Sequence, residues 1–262
     1  MSRDIQKIHF SASSAVRAQE AYNQFVDIHG NSSPEEADVI VVLGGDGFML
    51  RSLHGSTRHG KPLYGVNCGS VGFLMNEYRI EGLKERLSIA EEHIFHPLKL
   101  DIFESDTVMV SNFIAVNDVS ILRMTPQAAK LKVMIDNQVR LHELVCDGLI
   151  VATPVGSSAY NFSAHGPILP LDSPLLALTP VSPARPRRWR GALLPNNVLV
   201  EVQILEHEDR PVIVAADFLK IESKTMSRIQ ISQLSSVTMR ILSDTNRSWS
   251  DRILAEQFPF DS

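Results

Sequence analysis

The stretch Asp38-Val39-Ile40-Val41-Val42-Leu43-Gly44-Gly45-Asp46-Gly47-Phe48-Met49-Leu50 decides the reading of this chain. Its first part, 38–43, is a short β-branched apolar run, the composition of a strand buried on both faces. Apolar spacing from Phe48-Met49-Leu50 to Leu53 then suits a helix. Between them, three glycines and a carboxylate stand at the strand's carboxyl end, where glycine backbone comes close to a phosphate. The helix start adds free N–H groups and a favourable dipole. Asp46 is the odd member. A negative side chain in a phosphate turn repels the ligand unless it binds a metal ion or handles an attacking hydroxyl. The turn therefore points to phosphoryl transfer.

Outward from this turn, strand and helix patterns alternate. Ile5-Gln6-Lys7-Ile8-His9-Phe10 reads as a strand, followed by a helix carrying Val16, Tyr22, Phe25 and Val26. Ser13 or Ser14 is its expected cap, and Gly30 closes it. After the phosphate turn come a helix through the fifties and a strand around 63–66. A further helix, about 80–91, is expected to bury Leu83, Leu87 and Ala90. This is a parallel α/β pattern, whose ligand lies beyond the strands' carboxyl ends, where Asp46 and Asn67 both fall.

The character changes near Pro97. From Leu98 to about Leu242, short apolar runs alternate with turn residues, as at 113–116, 131–135, 198–200, 212–214 and 237–239. Asp136-Asn137 between two runs marks a hairpin tip. The expected fold class is α/β + β: an N-terminal parallel α/β domain over 1–97 and a β-rich C-terminal domain over 98–242. Residues 243–262 form a tail that packs back on the first domain.

Composition narrows the function classes. The chain has 262 residues, 44% hydrophobic and 21% charged, the balance of a globular protein with a sizeable core. A net charge of −5 argues against nucleic acid as a partner. No signal-peptide pattern opens the sequence, and no apolar stretch approaches the ~20 residues of a membrane span. Cys68 and Cys146 are the only cysteines, so a cytoplasmic protein without disulfides, both thiols buried, is the expectation. His93 and His96 stand three apart without a third ligand nearby, so they read as surface residues, and no metal-ligating set is assigned. The basic run Arg185, Arg187, Arg188 and Arg190 receives no role.

Two further segments carry chemistry. Asp147-Gly148-Leu149-Ile150-Val151-Ala152-Thr153-Pro154-Val155-Gly156-Ser157-Ser158-Ala159-Tyr160-Asn161 runs from a strand into a loop of small hydroxyl residues and a short helix. Such backbone N–H groups and hydroxyls make a second polar cradle, suited to ribose or phosphate. Asn117-Asp118 follows the strand at 113–116, and an amide beside a carboxylate suits a base edge or a ribose diol.

Together these segments resemble the NAD kinase family. The match runs through 38–50, 65–74 (Gly65-Val66-Asn67-Cys68-Gly69-Ser70-Val71-Gly72-Phe73-Leu74), Asn117-Asp118, 147–163, 176–183 and Asp217. The resemblance implies transfer of a phosphoryl group from ATP or polyphosphate, with Mg²⁺ or another divalent cation, to the 2′-hydroxyl of the adenosine ribose of NAD. It also implies nucleotide ligands as partners and a homodimer or homotetramer. By position, Asp46 resembles the catalytic aspartate, with Gly45 and Gly47 in the phosphate turn and Asn67 beside it. Phe73 resembles the aromatic residue near adenine, and Asn117 and Asp118 the pair that holds adenosine. Asp147, Ser158, Ala159, Tyr160 and Ser163 resemble the dinucleotide cradle. Phe48, Asp118, Ser158, Val155 and His165 depart from the commoner family text, where threonine, glutamate, threonine, threonine and glycine stand. Two alternatives are a lipid or sugar kinase sharing Gly-Gly-Asp-Gly, and an NAD-binding sensor without chemistry.

Overall fold

The computed structural model describes residues 3–69, 72–104, 109–245 and 249–258, so Ser70 and Val71 of the quoted 65–74 segment lie outside the described residues. The chain divides into two units, residues 1–95 with 237–262 and residues 96–236.

The first unit opens with β1 (Ile8–Ala12), α1 (Val16–His29), β2 (Val39–Gly44), α2 (Asp46–Ser56), β3 (Leu63–Asn67), α3 (Leu83–Ile89) and β4 (Glu91–Phe95). Every residue of β2 is buried, as its unbroken apolar run requires of a central parallel strand. Helix α1 turns Ala18, Ala21 and Phe25 onto the sheet, and Phe25 stacks on Phe10 of β1 at 5.6 Å. Spacings of three and four residues place those side chains on one helical face. Gly30 ends α1 at φ +72°, and its N–H donates to the Val26 carbonyl, the left-handed stop that glycine tolerates.

Several local expectations give way here. Strand β1 begins at Ile8 rather than Ile5, and neither Ser13 nor Ser14 caps α1. Extended Ala15 takes the cap position, and the Ser13 N–H is drawn off to the Leu43 carbonyl. Val16, grouped with the apolar residues of α1 by the sequence pattern, is 75% exposed. Helix α3 is shorter than 80–91, since Glu91 already belongs to β4, yet Leu83, Leu87 and Ala90 are buried as the spacing predicts. His93 is not a surface residue: its Nε2 lies 2.8 Å from the Ser243 hydroxyl.

Among the described residues the second unit is built of strands, with one 3₁₀ turn and one short helix. Its strands are β5 (Leu98–Phe103), β6 (Met109–Ala115), β7 (Asp118–Arg123), β8 (Ala129–Ile135), β9 (Gln138–Cys146) and β10 (Gly148–Ala152). A 3₁₀ turn (Val155–Ser158) and α4 (Tyr160–Ser163) precede β11 (Leu175–Val181), β12 (Ala192–Pro195), β13 (Val200–Leu205), β14 (Val212–Ala216), β15 (Leu219–Glu222) and β16 (Arg228–Gln233). They form two antiparallel sheets, ordered β12-β11-β10-β7-β14-β15 and β6-β5-β16-β13-β8-β9. Both contribute to one core that includes Leu100, Val119, Ile121, Val133, Leu149, Val151, Val202 and Ile229. Strand β8 alternates buried and half-buried residues along its length, the period of a strand with one face in the core. Asp136 and Asn137 form the β8–β9 hairpin tip at φ +50° and +63°, left-handed values that these residue types accept. The run Arg185–Arg190 is an exposed loop apart from half-buried Trp189.

The chain then returns to the first unit through β17 (Met239–Ser243) and α5 (Trp249–Gln257). Strand β17 completes a sheet ordered β1-β2-β3-β17-β4, parallel to β3 and antiparallel to β4. The 237–239 run, assigned from its composition to the β-rich domain, thus falls in the first unit, where Met239 opens β17, and the second unit ends at 236 rather than 242. An apolar strand bonds to whichever edge has room, and β3 and β4 leave one place between them. Both cysteines are buried and free. Among the described residues, no helix is long and apolar enough to cross a membrane.

Candidate active site

In the first unit the register pairs Gly44 at the end of β2 with Asn67 at the end of β3, so the phosphate turn and Asn67 share one edge. Gly45 is the extended N-cap of α2, and Asp46 opens the helix. The Phe48 and Met49 N–H groups bond back to the Gly45 carbonyl, which leaves those of Asp46 and Gly47 without an internal acceptor among the described residues. A Cβ at Gly45 or Gly47 would meet no atom of the described residues within 4 Å, so there is space beside the turn. The Asp46 carboxylate is fixed by two backbone donors, Phe73 N–H to Oδ2 at 2.7 Å and Leu74 N–H to Oδ1 at 2.9 Å. Each oxygen keeps a lone pair for a ligand. Asn67 spends its side-chain oxygen on the Gly69 N–H at 2.9 Å, bracing the loop. The Phe73 ring is half-buried, edge-on to Trp249 at 5.1 Å.

In the second unit the turn between β6 and β7 presents Asn117 and Asp118. Asp217, in the two-residue β14–β15 loop, accepts the N–H groups of Val116 (2.7 Å), Asn117 (2.8 Å) and Asp118 (3.3 Å). Thr153 holds the same turn from the other side: its hydroxyl donates to the Val116 carbonyl at 2.7 Å, and its N–H to Asn117 at 2.9 Å. The 3₁₀ turn lies directly on this backbone, since a Cβ on Gly156 would overlap the Asn117 main chain. Asn117 Oδ1 is buried without a donor, an acceptor that a ligand N–H or O–H would satisfy. The Ser158 hydroxyl is half-buried and makes no internal hydrogen bond among the described residues. Ala159 donates its N–H to the Gly156 carbonyl at 3.0 Å, kinking the chain into α4. Tyr160 is 39% exposed. Burial, together with the negative charges of Asp118 and Asp147, pushes its phenol up. Asp147 is engaged by Arg123, whose Nε donates at 2.6 Å. Ser163 ends α4 in an exposed position. His165 adopts φ +63°, a left-handed conformation that explains why a glycine suits this place.

A family model of the ATP-NAD kinase N-terminal domain matches residues 5–93, and one of the ATP-NAD kinase C-terminal domain matches residues 116–241. The NAD kinase of Rhizobium meliloti (strain 1021) is 54% identical over 260 residues, covering 98% of this chain and 99% of that protein. The NAD kinase of Caulobacter vibrioides is 48% identical over 254 residues, covering 97% and 96%. The chain belongs to the NAD kinase family. Among solved structures, yeast NADH kinase complexed with NADH shares the fold at a TM-score of 0.83 and 20% identity, over 99% of this chain and 90% of that one. An NAD kinase from Archaeoglobus fulgidus in complex with ATP gives 0.74 at 23% identity, over 95% and 99%.

Membership in the NAD kinase family sets aside the lipid- and sugar-kinase alternative, and the fold class is the one the sequence predicts. Sequence reasoning missed the residues that hold the others: Thr153, Arg123, Asn76 and Arg252. Asp217 was visible only as part of the family text. None has a local signal, because each acts on backbone or side chains remote in sequence.

One electrostatic feature of this candidate site is testable at once. Burial and, after it, the negative Asp217 push the Asp118 carboxyl up to about 7. A carboxyl raised above its unfolded value binds a proton on folding, so its stabilising effect is complete below pH ~4 and is lost as pH rises through ~7. Asp118→Asn removes that dependence. Urea unfolding is therefore expected to show wild type losing on the order of 3 kcal/mol relative to Asp118→Asn between pH 4 and 8. A pH-independent difference would discard the account.

Proposed function

We propose that Asp46 orients the 2′-hydroxyl of the adenosine ribose of NAD and takes its proton late in phosphoryl transfer, as this chain phosphorylates NAD to NADP. The observation that carries this reading is the fixed carboxylate: both Asp46 oxygens are held by backbone N–H groups, at a helix start whose first amides have no acceptor among the described residues. Aspartate is a weak base toward a ground-state alcohol. A loose phosphoryl-transfer transition state asks little of the nucleophile early, so orientation and late proton acceptance suffice. The ribose oxygen forms its bond to the terminal phosphorus of the donor as the bond to the leaving phosphate breaks, and the hydroxyl proton passes to Asp46. The free N–H groups of Asp46 and Gly47 are suited to the donor's phosphate oxygens. The family models, named for ATP-NAD kinase, support ATP as donor, with polyphosphate the alternative.

In the second unit, the orphaned Asn117 oxygen suits the amino group of a base, and Asp118 suits ribose hydroxyls. Ser158, Ala159, Tyr160, Asp147 and Ser163 complete the dinucleotide cradle of this unit; in the first unit, Phe73 keeps the adenine role that the family resemblance gives it. Among the described residues, no three His, Cys, Asp or Glu side chains converge on a metal position. By the family resemblance, the divalent cation would arrive carried by the donor's phosphates. Such a cation supplies charge neutralisation at the transferring group. Assembly as a homodimer or homotetramer in the cytoplasm belongs to the same proposal and rests on the family resemblance.

The test is to incubate the protein with NAD, Mg²⁺ and either ATP or polyphosphate, and to locate the new phosphate by phosphorus NMR. Product phosphorylated at the 2′ position is expected, with ATP as the better donor. NAD binding without product from either donor would favour the sensor, and a phosphate elsewhere on the ribose would overturn the placement of Asp46.

A further inference from the structure

The two amides that hold Asp46 belong to a loop that is itself held from the far end of the chain. Arg252 of α5 is 3% exposed. Its Nη1 donates to the Phe73 carbonyl at 2.8 Å, and its Nη2 to Asn76 Oδ1 at 2.9 Å. Asn76 is 1% exposed and ties β3 to the end of β17. Its Nδ2 donates to the Gly65 carbonyl of β3 (3.0 Å) and the Leu242 carbonyl of β17 (3.1 Å), while Oδ1 also accepts the Asp244 N–H at 3.0 Å. One turn before Arg252, Trp249 meets the Phe73 ring edge-on at 5.1 Å and lies 5.1 Å from the guanidinium. The segment from Phe73 to Asn76 is therefore held by one side chain at both ends, through the Phe73 carbonyl and the Asn76 side chain.

We propose that Arg252 is a positioning residue for the transfer step: its guanidinium fixes the Phe73–Asn76 loop, and that loop's N–H groups fix the Asp46 carboxylate. The inference rests on the role given to Asp46. Two acceptors three residues apart match the planar fork of a guanidinium, whereas an ammonium is a point donor that fills one of them well. A guanidinium this buried is costly to place, so its retention in a helix near the chain end calls for a reason beyond packing. The chemistry supplies one, because a displacement of about 1 Å at a reacting group costs roughly 10²-fold in rate.

Arg252→Ala is expected to lower kcat about 10–100-fold while KM for NAD changes by less than about threefold. Hydrogen exchange at the Phe73 and Leu74 amides accelerates, while the β2 amides keep their protection. Arg252→Lys recovers part of kcat, as does free guanidinium added to Arg252→Ala below denaturing concentrations. In the Asp46→Asn background, Arg252→Ala produces no further loss, because a residue acting only through Asp46 has nothing left to position. Multiplicative losses overturn the proposal. So does unchanged exchange at Phe73 and Leu74, or unchanged kcat, in a folded variant. If Arg252→Ala does not fold, Arg252→Lys and Arg252→Gln carry the same comparison. Failure of the Asp46 reading shows separately, as normal turnover in Asp46→Asn alone.

Discussion

Asp46→Asn lowers the rate of NADP formation about 10²–10⁴-fold, the range for losing a positioned proton acceptor. The substitution also strikes the loop. Phe73 and Leu74 present two N–H donors to the side chain at 2.7 and 2.9 Å, and a carboxylate accepts both. An amide offers one oxygen; its NH₂ then faces the second N–H, donor against donor. Leaving that N–H unsatisfied costs about 1–3 kcal/mol, so the variant loses stability as well as turnover. Steady-state kinetics with NAD and ATP, beside urea unfolding of both proteins, measures the two effects. Near-normal turnover would remove Asp46 from the chemistry. A turnover loss without any loss of stability would mean that the two amide bonds contribute nothing to the fold.

Gly156→Ala is the second large effect, and it comes from backbone rather than from charge. A Cβ at this position would overlap the carbonyl oxygen, carbonyl carbon and Cα of Asn117, none of which is a flexible side-chain end. The 3₁₀ turn must lift, carrying Ser157 and Ser158 with it, or the Asn117 backbone must retreat from Asp217 and Thr153. Overpacking of this kind costs about 1–3 kcal/mol or more. Either response moves Ser158 relative to the orphaned Asn117 oxygen, so NAD affinity falls about tenfold or more if both touch the dinucleotide. Urea unfolding and NAD titration are the measurements. Wild-type stability in Gly156→Ala would show that the turn does not lie against Asn117, and wild-type affinity with reduced stability would take these residues out of the NAD site.

Much of the local structure was legible because its causes are local. Val39 to Leu43 reads as a buried strand since every residue is apolar, four of them β-branched, and β2 is buried throughout. Asp136-Asn137 reads as a hairpin tip because these residue types accept the positive φ that the turn imposes. The phosphate turn is legible for the same reason: glycines, carboxylate and helix start follow one another within four residues. By contrast, Ser13 and Ser14 carry a capping signal that competition overrides, since the Ser13 N–H goes to Leu43 of the neighbouring strand. Val237-Thr238-Met239 looks like the other short apolar runs, and only the place between β3 and β4 that β17 fills draws Met239 into the first sheet.

The sequence by itself determined the elements, the class of fold and the chemical character of Asp46, Asn117 and Asp118, because side-chain type and near-neighbour spacing set these. Tertiary structure alone decided what holds each of them in place. Asp217 reaches Asn117 across 100 residues, and Arg252 reaches Phe73 across 179. A hydrogen bond is specified by geometry between partners, and when the partners lie that far apart in the chain no spacing rule connects them. Their meeting is fixed by sheet order and register, which the folded chain settles as a whole.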